Sequence, residues 1–258
     1  TDQMLRFPVA TLIRFCHNHG LIQVANRPQW YTVRGGARHY VEKIVAGVPD
    51  ARLNTPVRSV RRVPPDSGSA GVWVATDAGS ERFDEVVFAC HTDQALRLLA
   101  DPSEAERSVL GAIRYQPNRA VLHTDRSVLP RRERAWASWN YERAAEGDRE
   151  QARVCLHYLL NKLQPLPFTT PVLVSLNPVT EPSADSIVGE YEYDHPIFDL
   201  AAIAAQKRVP ELQGVAHTWF AGAWTRYGFH EDGLMSGEAV VRGLLDAWAA
   251  SGTRPEAA

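Results

Sequence analysis

The residues best placed to do chemistry stand in one stretch, Thr218 to Trp248. A short apolar run, Trp219-Phe220-Ala221, meets Gly222, and a loop rich in aromatics and charge runs from Trp224 to Asp232. From Gly233 the spacing turns helical: Leu234, Val241, Leu245 and Trp248 share a face, with Val240 and Leu244 beside them. The pattern is strand, glycine turn, loop, helix N-terminus. Such an end offers backbone N–H groups and the positive pole of a helix dipole to an anion or an electron-rich carbonyl. Tyr227 and His230 are the loop's candidate catalytic side chains. His230 suits proton exchange or charge tuning, and it equally suits a structural hydrogen bond within the loop. No G-x-S-x-G or similar motif is present, so the chemistry is not that of a nucleophile triad.

The elements that must position this stretch follow from the rest of the chain. A helix is predicted over residues 7–19, ended by Gly20. Tyr31-Thr32-Val33 reads as a short strand, and Gly35-Gly36 opens a helix from Ala37 to Ala46. A strand, Thr55 to Val63, is followed by the alternating Val72–Thr76, the turn Asp77-Ala78-Gly79 and a returning strand, Ser80–Phe83. Glu85–Cys90 is a near-continuous apolar run, the mark of a buried parallel strand, with a helix after it from Asp93 to Leu99. Another helix starts at Pro102-Ser103-Glu104. Strands are predicted over 118–125, 154–160, 171–176 and 186–191, with alternation over 135–141, a turn at Glu146-Gly147-Asp148 and a helix over 198–209. The implied segments are 1–34, a helix and linker; 35–100, helix, strand, meander and strand; 101–206, an antiparallel sheet suited to a substrate domain; and 207–258, strand, loop and helix.

Composition narrows the function classes. With 258 residues and 45% apolar content, the chain is long enough for one large or two small cores. A formal charge of −2 supplies no global field for nucleic acid. No apolar run has the length of a membrane span, and no signal peptide is visible. Cys16, Cys90 and Cys155 stand far apart and in odd number, which suits a reducing cytoplasm rather than a disulfide framework or a zinc spacing. No metal site is expected: His17 and His19 do not share a helix face, and Asp125, Asp148 and Asp185 show no common spacing. His123 and His157 fall in strands and read as core or edge histidines. His195, ahead of Pro196, is held extended and reads as structural.

Gly35-Gly36, the span from Thr55-Pro56-Val57 to Ala89, and the span from Ala221-Gly222 to Ser236-Gly237 together resemble the flavin-dependent amine oxidase superfamily. A closer likeness is to its bacterial subgroup of NAD/FAD-binding proteins associated with cyclopropane fatty-acid synthases. That likeness rests on Leu-His-Thr-Asp at 122–125, Ser-Trp-Asn-Tyr at 138–141, Leu-Asn-Pro at 176–178, Asp-His-Pro at 194–196 and Gly-Phe-His-Glu-Asp-Gly at 228–233.

The resemblance implies an α/β (mixed α+β) fold: a glutathione-reductase-like FAD/NAD(P)-binding domain joined to an antiparallel-sheet substrate domain. It implies FAD as cofactor, with Val57 beside the adenine, Ala89 at the strand end, and Gly222 and Ala223 near the ribityl-pyrophosphate. Many relatives carry Glu where this chain has Ala223. Glu231, Asp232, Gly233 and Leu234 would face the flavin C2 carbonyl, and a helix N-terminus there stabilises charge arriving at the ring. Trp139, Asn140 and Tyr141 would line a substrate cavity, or else pack the sheet. The family's G-x-G-x-x-G turn is missing, so the cofactor domain is expected to be incomplete, the C-terminal part of a larger protein with weak or absent FAD binding. An exposed sheet edge would then await an N-terminal partner segment or a second copy. The expected function is hydride transfer from an amine or acyl-lipid small molecule to flavin. The alternative is a non-catalytic binding module with a vestigial cofactor site.

Overall fold

A computed structural model describes residues 8–18, 20–26, 28–29, 31–63, 70–142 and 155–252. In chain order the elements are α1 (Val9–Asn18), α2 (Arg38–Ala46), β1 (Val57–Arg62), β2 (Val72–Thr76), β3 (Gly79–Phe83), β4 (Val86–Phe88), α3 (Thr92–Leu98) and α4 (Glu104–Gly111). Then come β5 (Tyr115–His123), β6 (Trp139–Glu142), β7 (Cys155–Leu159), β8 (Leu173–Leu176), β9 (Ile187–Pro196), α5 (Leu200–Gln206), β10 (Thr218–Phe220) and α6 (His230–Ser251). The expected turn at Glu146-Gly147-Asp148, residues 64–69 and His19 lie outside the described residues.

The chain forms two compact units. One comprises Thr1–Ala51 and Gln116–His195, and is built on a five-stranded sheet of order β6-β7-β8-β5-β9. Its pairs β5–β8, β6–β7 and β7–β8 are antiparallel. The other comprises Arg52–Tyr115 and Pro196–Ala258. It holds the antiparallel meander β1-β2-β3 and a two-stranded parallel sheet, β10-β4. Helices α4 and α5, which the sequence groups with the sheet segment, belong to this second unit, where Val109, Leu110, Ala202 and Ala205 share one core with Val60, Phe88 and Phe220. The Phe88 and Phe220 rings stack with centroids 5.6 Å apart.

A buried ion network closes that core. The Arg62 side chain at the end of β1 pairs with Glu106 of α4, and also reaches Asp101 (3.3 Å) and Thr218 Oγ1 (3.2 Å). Glu106 in turn accepts from the Ser103 amide at 2.7 Å, capping α4 as the Ser-x-x-Glu spacing predicts. One arginine therefore ties β1, α4 and β10 together.

Several expectations change. Tyr31-Thr32-Val33 forms no ladder; it is irregular and exposed, with no partner strand among the described residues. The helix expected over 198–209 is split. Asp199 caps α5 by accepting from the Ala202 amide at 2.9 Å, and a separate 3-10 turn, Val209–Glu211, carries Pro210, which cannot continue a helix. β4 is parallel to β10, as expected, yet Val87 is 42% exposed rather than buried. Among the described residues β4 has β10 as its one ladder partner, so one edge and one face stay open.

The last helix differs most. It opens at His230, not at Gly233, because Asp232 folds back to accept from the Tyr227 and Phe229 amides at 3.2 and 3.0 Å. The face Leu234, Val241 and Leu245 is exposed. Val240, 3% exposed, and Leu244 instead pack on Trp219 and Ala221 of the β10 segment. Gly243 sets this rotation: a Cβ there would stand 2.6 Å from the Trp219 ring, so only a glycine lets the helix lie this close.

Candidate functional site

β4 and β10 run parallel and end together at Ala89 and Ala221-Gly222. In a parallel α/β sheet the crevice beyond the carboxyl ends of the strands is where ligands bind. Here that crevice is a cavity of about 500 Å³. The end of β4 contributes Ala89, Cys90 and His91, and the turn after β10 contributes Gly222, Ala223 and Trp224. Gln94, Tyr115, Pro196 and Gly228 complete the wall.

The backbone is held by a few specific bonds. The Trp224 indole N–H donates to the Cys90 carbonyl at 3.2 Å, which fixes the two strand ends against each other. Gly222 makes room for that ring, since a Cβ would meet Trp224 Nε1 at 2.4 Å. Ser236 Oγ accepts from the Gly222 amide at 2.8 Å and donates to the Gly233 carbonyl at 2.7 Å, so α6 grips the turn. The His91 and Tyr115 rings stack at 4.2 Å, and the Tyr115 hydroxyl accepts from the Thr92 amide at 3.1 Å. Burial pushes the Tyr115 phenol and the Cys90 thiol up, so neither is a ready nucleophile at neutral pH.

This geometry brings together three of the anticipated cofactor residues, Ala89, Gly222 and Ala223. Val57 lies at the start of β1, paired with Thr76, and is not in the cavity wall. Glu231, Asp232, Gly233 and Leu234 lie within the first turns of α6. The Gly233 amide is used in the helix ladder, donating to the Phe229 carbonyl at 3.1 Å, so the first-turn amides are those of His230, Glu231 and Asp232. Gly233 still packs on the turn, with its Cβ position 3.8 Å from the Ala223 amide nitrogen. Tyr227 and His230 are not among the lining residues; Gly228 between them is.

Cys90, His91, Gln94 and Tyr115 escape the sequence reading. His91 could have been found from its place, directly after a parallel strand and before a helix. Tyr115 comes from β5 and meets His91 only through tertiary packing. A second cleft in the same unit, about 600 Å³, lies between α5, β10 and α6, and holds none of the anticipated residues.

In the other unit Trp139 and Tyr141 project from one face of β6 and are exposed, while Asn140 points to the opposite face and is buried. Asn140 bonds the Ala137 backbone at both ends and the His157 carbonyl at 3.3 Å. It therefore holds the strand instead of sharing a surface with its neighbours. Leu156, Tyr158, Val174, Leu176 and Leu122 occupy the Trp139 face by register, which makes it largely apolar.

No family model and no curated protein matches this sequence. Solved structures do match. The fold is similar to that of a CLA-producing fatty acid isomerase from P. acnes, at 16% identity and a TM-score of 0.56, over 80% of this chain and 52% of that one. It is similar to a provisionally named protoporphyrinogen oxidase from Exiguobacterium sp. 255-15, at 14% identity and a TM-score of 0.58, over 92% and 58%. It is also similar to a putrescine oxidase solved with putrescine bound, at 15% identity and a TM-score of 0.56, over 83% and 53%. The chain thus spans little more than half the length of each of these structures. Among the described residues no helix is long and apolar enough to cross a membrane.

Proposed function

We propose that this chain carries part of an FAD-dependent oxidoreductase of amine-oxidase type, with the flavin-side site at the β4–β10 crevice. The observation that carries this reading is the crevice itself. It lies at the carboxyl ends of two parallel strands and has Ala89, Gly222, Ala223 and Gly228 in its wall, in a fold shared with two proteins named as oxidases. The residues fit such a group. Ala89, Gly222, Ala223 and Gly228 let a ligand approach the backbone, and the stacked His91–Tyr115 pair offers a flat surface. Bound flavin would supply the hydride acceptor. The protein's own part is positional: Trp224 and Ser236 lock the turn beside the site. Ala223 supplies no carboxylate to a ribityl or phosphate hydroxyl, so affinity rests on backbone contacts.

The substrate class of this reading, an alkyl amine or an acyl lipid, is taken from the family resemblance. The test is the visible spectrum of the purified chain, desalted with and without prior incubation with FAD. Retained flavin absorbance supports the reading. A colourless chain that FAD neither binds nor stabilises overturns it.

One observation favours a second reading, an interaction module. Among the described residues a parallel sheet of two strands with an exposed Val87 leaves a ladder edge unpaired, which parallel sheets rarely do. A further strand, from a partner segment or a second copy, would complete it. Solution mass measured over a range of concentrations separates the two readings: a monomer at every concentration that binds FAD argues for the first.

A further inference from the structure

On the buried face of the five-stranded sheet, three metal-ligating atoms of three kinds converge. Glu142 and Cys155 are register partners across β6 and β7, and His157 follows Cys155 on the same face of β7. Glu142 Oε2 stands 3.3 Å from Cys155 Sγ and 3.0 Å from His157 Nε2, and the sulfur and ring nitrogen are 3.7 Å apart. Three donors on one tetrahedral zinc ion, with bonds of about 2.0–2.3 Å, stand about 3.3–3.6 Å from one another. The mutual spacing therefore needs shifts of only a few tenths of an ångström.

The surroundings match what metal ligands require. Thr180 holds Glu142, its hydroxyl 2.5 Å from Oε1 and its amide 3.3 Å from Oε2. His157 is 1% exposed in its side chain and its other ring nitrogen, Nδ1, lies 2.6 Å from Ser175 Oγ, the outer hydrogen bond that orients a ligating imidazole. Ser175 is also 2.7 Å from His123 Nε2. Because the Asp125 amide donates to His123 Nδ1 at 3.1 Å, the His123 proton sits on Nε2 and points at Ser175. Glu142, 22% exposed, is the way in from solvent.

We propose that Glu142, Cys155 and His157 form a site for a zinc-type divalent cation, with a fourth position open to water. In the metal-free network the Cys155 thiol and the His157 Nε2–H both donate to Glu142. On binding, the Cys155 proton leaves to solvent and a sulfur–metal bond forms. The His157 proton moves from Nε2 to Nδ1 and is donated to Ser175 Oγ, whose two lone pairs then accept from both imidazoles. The charges of thiolate and carboxylate balance the ion, and no oxidant or reductant is involved. A thiolate and an imidazole select zinc over magnesium or calcium, which prefer oxygen donors. The site joins the two ends of the connection between β6 and β7, so the ion would clamp that hairpin.

The test uses the full chain, stripped with a chelator and titrated with Co2+ as a spectroscopic stand-in, then with Zn2+. One equivalent of Co2+ is expected to bind with a near-ultraviolet thiolate-to-cobalt band that Zn2+ abolishes. C155S is expected to lose the band while its circular dichroism stays native. S175A is expected to bind about 10–100-fold more weakly, the scale for loss of an outer partner. No band in the wild type, or a band that persists in C155S, overturns the site. If C155S fails to fold, E142Q decides: cobalt binding at least about tenfold weaker supports the site, and unchanged binding overturns it.

Discussion

The indole N–H of Trp224 donates to the carbonyl of Cys90 at 3.2 Å, joining the turn after β10 to the end of β4. W224F removes the donor and part of the buried ring, and is expected to cost about 1–3 kcal/mol of unfolding free energy. W224A also empties a buried ring site and is expected to cost about 3–5 kcal/mol. Urea unfolding measures both. A W224F as stable as the wild type would mean that the bond contributes nothing to the turn.

Arg62 and Glu106 form the buried ion pair of the second unit. R62M leaves the Glu106 charge buried without its partner, and is expected to cost about 3–5 kcal/mol. The double variant R62M/E106L is expected to recover most of that loss, less about 1 kcal/mol for the Ser103 cap that Glu106 also supplies. If the single and double variants prove equally unstable, the packing of the arginine stem matters more than the charge pair.

Two glycines of α6 should respond with opposite sign. A Cβ at Gly243 would meet the Trp219 ring at 2.6 Å, so G243A is expected to destabilise by about 1–3 kcal/mol. At Gly237 nothing lies within 4 Å, so G237A is expected to stabilise by about 0.5–1 kcal/mol through helix propensity alone. Thermal melting of the pair reads the packing face of the helix directly.

That face shows where sequence reasoning reaches and where it stops. The meander β1-β2-β3 was legible because alternation and the Asp77-Ala78-Gly79 turn are local signals, and the parallel strand β4 because apolar runs of that length are. The apolar stripe Leu234–Val241–Leu245 was legible too, but it lies in solvent. Val240 and Leu244, beside that stripe, dock α6, and the missing side chain at Gly243 lets them close on Trp219; a hydropathy pattern gives no weight to an absence. Ala89, Gly222 and Ala223 followed from the family resemblance, not from the local pattern alone. Tyr115 and the cluster around His157 were not, because each depends on a cross-strand register or on tertiary packing that one segment does not encode.

Acid should weaken both units, for different reasons. The Ala202 amide holds the Asp199 carboxyl below its ordinary value of 3.8, so the cap stabilises above that value and is lost as pH falls through the lower folded value. D199A is expected to cost about 1 kcal/mol at neutral pH and progressively less below pH 3.8. Burial lowers the His123 imidazole from its ordinary 6.5. The unfolded chain therefore takes up that proton first, and the stability present above pH 6.5 declines as pH falls below it. H123N should flatten this upper limb and leave the lower one. Urea midpoints taken across the two windows, for wild type and both variants, check the assignment.

The most direct measurement is an equilibrium titration of FAD fluorescence with the wild-type chain and with A89W. Ala89 is exposed at the end of β4 and lines the crevice, so a tryptophan there fills the cavity without disturbing the core. The expected result is saturable quenching by the wild type, and its loss in A89W at an unchanged melting temperature. No quenching by the wild type, or equal affinity in A89W, would contradict a flavin site between β4 and β10.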